Sequence, residues 1–132
     1  MTDSTLEIQK AFVAALKADA TLAALVGTRI YDEPPQNPAY PNVTFGPVTA
    51  DAWDSDGTLG WEAFVQIDAW SEKPGKPEVS RIMAAIKTVL HRSTLTLDTQ
   101  TVCLALLDFS SILPWDGGTR HGVQRFRVLT HE

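Results

Sequence analysis

The sequence predicts an α+β fold, a mostly antiparallel sheet of about four to five strands with two main helices packed on one face. Three observations lead there. Two segments repeat apolar residues at spacings of three and four, and four others are rich in β-branched and aromatic residues with partial alternation. These segments run in the order helix, strands, helix, strands. The chain has 132 residues, 44% hydrophobic and 20% charged, enough for one ordinary core, so it reads as a single domain over residues 1–132.

Each element has its own signal. Ser4-Thr5-Leu6-Glu7 has the form of a capping box, and Ile8, Phe12, Ala15 and Leu16 behind it share one helical face, giving a helix from Ser4 to Ala18. Asp19 then recaps a short turn through Leu22, Leu25 and Val26, which Gly27 ends because it tolerates positive φ. Pro34, Pro35, Pro38 and Pro41 fix φ and remove donors, so YDEPPQNPAYP is an extended surface loop, either a stiff connector or a partner-binding arm. Residues 43–45 and 61–70 are strands. In the second, Ala63, Val65, Ile67 and Ala69 share one face while Phe64, Gln66, Asp68 and Trp70 share the other.

A second strong helix starts near Pro77, favoured at a first helical position, and Val79, Ile82, Met83, Ile86, Val89 and Leu90 repeat along it at spacings of three and four as one apolar stripe. Strands at 101–109 and 123–130 complete the sheet. The helices cover one face, and the other is left for a partner.

A search for chemistry finds little. DAWDSDGTLGWE (51–62) invites a calcium-loop reading with Gly57 at the sixth position, but Ala52 and Ala63 then stand where the first ligand and the bidentate carboxylate belong. It reads instead as a solvated hairpin tip. His91, His121 and His131 have no metal-binding spacing, and one cysteine, Cys103, supports neither a zinc site nor an intramolecular disulfide. Cys103 lies in an apolar strand and packs rather than attacks. His91 near a helix end suits the dipole as a cation. The expectation is no enzyme, no metal and no cofactor. MTDSTLEIQK lacks the basic and apolar regions of a secretory signal, and no apolar run approaches the ~20 residues of a membrane span, which reads as a cytosolic product.

Charge is distributed unevenly. The formal net charge is −5, yet residues 117–131 hold three arginines, two histidines and no carboxylate. Arg125 and Arg127 project from one strand face with Val123 and Leu129, while Phe126 and Val128 point to the other. A nucleic-acid binder would carry a broad basic patch, whereas here three arginines are set against a surplus of acid elsewhere, with no aromatic stacking platform interleaved with them. Two readings remain. Arg120, Arg125 and Arg127 pair with acids of the same chain, or they meet the acidic segment of a neighbouring subunit (Asp51, Asp54, Asp56, Glu62). Opposite patches on one molecule suit a head-to-tail contact that closes into a ring. Trp53, Trp61 and Trp115 beside polar turns are contact candidates, with ordinary packing as the competing role.

Three stretches carry a resemblance: LVGTRIYD…P…YPNVTFG, DAWSEKPG and RHGVQRFR. Over Leu6 to Thr130 the chain resembles the tail terminator (tail-completion) proteins of long-tailed phages, prophages and gene transfer agents. The resemblance implies an α+β sandwich that caps the end of a tail tube, stops its polymerisation and forms the joint to the head connector. It implies a hexameric ring of self-associated subunits, with the tail tube protein and the head connector protein as partners and DNA only passing through. Such a protein is found in the bacterial cytoplasm during assembly and then in the particle's tail, with no membrane contact. An acidic lumen would repel phosphate and let DNA pass. A head-to-tail adaptor of the same particle, and a stand-alone binding or hydrolytic domain on the same fold, are the alternatives.

Overall fold

The computed structural model describes residues 4–53, 57, 60–95, 97, 101–114 and 117–131. Helix α1 (Ser4–Ala18) is followed at once by α2 (Ala20–Val26), and the two are separated only by Asp19. Asp19 is extended, which separates the two helices, and its Oδ2 accepts from the Leu22 N–H at 2.9 Å, which caps α2. Gly27 stops α2 at φ 61°, a conformation an L side chain resists, and its N–H donates to Ala23 O. The Ser4 side chain of the anticipated capping box lies outside the described residues.

Strand β1 (Ile30–Tyr31) comes next, then the proline loop, β2 (Asn42–Ala52), β3 (Gly60–Ser71), α3 (Pro77–Leu90), β4 (Thr101–Ile112) and β5 (Arg120–His131). The sheet order is β1-β2-β3-β5-β4. β1 runs parallel to β2, and every other pair is antiparallel. The expected α+β architecture is present, with one short parallel strand added at the edge.

Alternation along β3 and β5 sorts the sheet into two faces. Ala63, Val65, Ile67 and Ala69 are buried beneath the helices with Phe126 and Val128. α1 contributes Ile8, Phe12 and Leu16, and Phe12 meets the Phe126 ring edge-on at 6.1 Å and 90°. α3 contributes Val79, Ile82, Met83, Ile86 and Leu90, all buried. Each large side chain so buried is worth roughly 1.5–3 kcal/mol. α3 also lies close to the sheet at Gly122, where a Cβ would come within 2.4 Å of Met83 Sδ. Both main helices therefore cover one face, as the pattern predicts.

Candidate interface on the uncovered sheet face

The face away from the helices carries the even-numbered residues of β3 and the odd-numbered residues of β5. At one end Asp68, whose side chain is 8% exposed, lies 2.7 Å from His121 Nε2. With a carboxylate as acceptor, that nitrogen carries the proton. Gln66 Nε2 donates to the same oxygen at 3.1 Å. The His121 ring stacks on Trp70 at 3.8 Å and 11°, and Trp70 Nε1 donates to Thr44 Oγ1 at 2.9 Å. Gly46 leaves the space for this network, since a Cβ there would meet Gln66 Nε2 at 2.9 Å and Asp68 Oδ2 at 3.0 Å.

In the middle, the Arg125 guanidinium sits 5.3 Å from the Phe64 ring centroid and 5.9 Å from that of Phe109. Its Nε and Nη2 both donate to Asp108 Oδ2, at 2.9 and 2.6 Å. At the far end Arg127 Nε donates to Glu62 Oε2 at 2.8 Å. Arg125 and Asp108 are 50% and 32% exposed, so this pair adds no more than about 1 kcal/mol to stability. Its effect is to hold a guanidinium between two aromatic rings, with Phe109 half exposed beside it.

Arg125 and Arg127 are thus both engaged within the chain. Arg120 opens β5 opposite Ser71. Asp51 is exposed on β2 and stands opposite Glu62, so two carboxylates face each other across the β2–β3 ladder. Trp53 is 47% exposed just past the end of β2. Asp54, Asp56 and Trp115 lie outside the described residues, as does the Cys103 side chain. Trp61 turns to the helix side, half-buried, with its Nε1 buried and unpartnered among the described residues.

Sequence reasoning missed the Asp68–His121–Trp70–Thr44 network and the Asp108–Phe109 contribution. Alternation did place Gln66, Asp68 and Trp70 together. Nothing local ties Asp68 to a histidine 53 residues away. No group of three or more metal-ligating side chains forms among the described residues. The face presents aromatic rings and fixed guanidinium groups, the composition of protein contact surfaces.

The family model for tail completion protein gp17 matches residues 10–131. In solved structures, a chain of the "Virion of native gene transfer agent (GTA) particle" is similar to this one, with a TM-score of 0.91, 23% identity and 100% of each chain covered. At that identity the likeness is one of fold. No curated protein matches the sequence.

Proposed function

The chain belongs to the tail completion protein gp17 family, and on that premise we propose that it is a structural protein that caps the end of a phage-like tail tube, stops its polymerisation and forms the joint to the head connector. The observation that supports this most is the uncovered sheet face. A 12-residue β3 and a 12-residue β5 present Phe64, Trp70, Arg125 and Arg127 to the side away from the helices, where among the described residues the proline loop borders Trp70 at one end. Such a surface is built to be covered by protein.

In this reading the protein acts as one tail-completion domain that associates with itself as a ring, with the tube protein on one side and the connector on the other. The proposed interface residues are Arg120, Arg125, Arg127, Asp51, Asp54, Asp56, Glu62 and Trp53. Glu62 and Arg127 act as a pair already joined within each copy, leaving Asp51 and Trp53 exposed to meet a neighbour. The protein assembles in the bacterial cytoplasm and ends in the tail, and DNA passes through without specific contact, as the formal net charge of −5 favours. No helix among the described residues is long and apolar enough to cross a membrane.

The test adds purified protein to polymerising tube protein and measures tube lengths by electron microscopy. Capping predicts tubes that stop growing, with the added protein at one end. Tubes of unchanged length, together with binding to isolated connectors or portals, would favour the adaptor reading instead.

A further inference from the structure

The sheet order leaves two edges open. On one side β1 covers only Val43 and Thr44 of β2. The Trp53 N–H donates to Gly60 O at 2.7 Å, toward β3, so by alternation residues 51 and 49 also face β3. Val48, Ala50 and Ala52 turn their N–H and C=O groups outward, without partners among the described residues.

The opposite edge, β4, is closed over its first half. Ala105 O accepts from the Arg92 N–H at 2.6 Å, and the Leu107 N–H donates to His91 Nδ1 at 2.9 Å. Beyond the irregularity between Leu107 and Phe109 the edge opens. The Leu113 N–H donates to His121 O at 2.8 Å, so residues 111 and 109 face β5, and Ser110 and Ile112 point outward. They border a groove of about 580 Å³ between β4 and α3, lined also by Lys76, Ser80 and Lys87.

The two edges differ in charge. Exposed Lys76, Lys87 and Arg92 flank the β4 edge, and its carboxylate Asp108 is held by Arg125. Exposed Asp32, Glu33 and Asp51 flank the β1–β2 edge, where Arg29 turns inward to Pro41 O at 2.7 Å. We infer that the open β2 edge of one copy, residues 48–52, adds to the open β4 edge of the next, residues 110–112, so that neighbouring subunits share one continuous sheet. The occupant is a second copy because one chain carries both an acidic and a basic edge, each with unpaired backbone groups. Pairing two different edges is a head-to-tail contact, which closes into a ring when the rotation allows. This inference rests on the self-associating ring proposed above and names the surfaces that build it.

Ala52→Pro and Ser110→Pro each remove one outward N–H at an edge, where proline is tolerated. A second set reverses charge: Lys76→Glu with Lys87→Glu, and Asp32→Lys with Glu33→Lys. Mass is read by light scattering at low salt, fold by circular dichroism and thermal unfolding. The unmodified protein should be an oligomer. Each proline variant and each charge-reversed pair should be monomeric with its fold kept, and the chain carrying all four reversals should regain the oligomer. If the proline variants unfold, the charge set decides. An oligomeric unmodified protein whose folded variants keep the same mass overturns the edge pairing and leaves the ring standing. Variants that keep their mass but no longer sediment with tubes assign the edges to the tube protein, which also overturns it. A protein that stays monomeric in solution and cross-links only to tube protein on tails overturns edge pairing and ring together.

Discussion

At Gly60 the backbone leaves no room for a side chain. A Cβ there would lie 2.6 Å from Trp53 O, just past the end of β2, and 2.7 Å from Thr130 O of β5, and both are backbone atoms. Neither can yield without breaking a ladder. Gly60→Ala should therefore destabilise the fold by about 1–3 kcal/mol, read as a lowered urea midpoint. Asp68 is constrained for a different reason. It is nearly buried, and its carboxylate accepts from both His121 and Gln66. Asp68→Ala removes the acceptor and leaves both donors without it, so a loss of roughly 1–3 kcal/mol is expected. Because His121 stacks on Trp70, the same variant should change the tryptophan fluorescence of the native state. A variant as stable as the parent with identical emission would show that the network contributes nothing.

Helix α2 has only 7 residues, too few to persist without tertiary packing and a cap. Its cap is the Asp19 carboxylate, so Asp19→Ala should cost about 0.5–2 kcal/mol, measured by thermal unfolding. This element was legible in the sequence, because an aspartate before an apolar repeat and a glycine after it are local signals. The faces of β3 and β5 were legible for the same reason, since period-two alternation is written into consecutive residues. β1 was not, because two residues carry no period and pair only through Val43 and Thr44 of a later strand. His91 stands at the end of α3, as its position predicts, but its Nδ1 also accepts the N–H of Leu107, 16 residues away, which no local signal gives. The partners of Arg125 and Arg127 are also long-range, 17 and 65 residues away. Sequence could place both arginines on one face. Only the β4–β5 and β3–β5 registers choose Asp108 and Glu62 from the available acids.

Taken whole, the molecule has three kinds of surface: a helical side, a bare sheet face, and two open edges of opposite charge. A capping ring needs at least two contacts that differ in chemistry, one between copies and one to the tube. The edges supply backbone groups for the first. The face supplies Phe109 and the Arg125 guanidinium for the second, both substantially exposed. The two roles can be separated by substitution. Phe109→Ser with Arg125→Ala removes two half-exposed side chains and the Arg125–Asp108 pair, so each change should cost about 1 kcal/mol or less. The double variant should keep the oligomeric mass of the parent and lose the ability to arrest tube growth. Edge variants should lose the mass itself. A double variant that caps tubes normally would move the tube contact off the sheet face. The shallow apolar groove lined by Leu25, Ala84 and Ala85, between α2 and α3, is then the surface to substitute next.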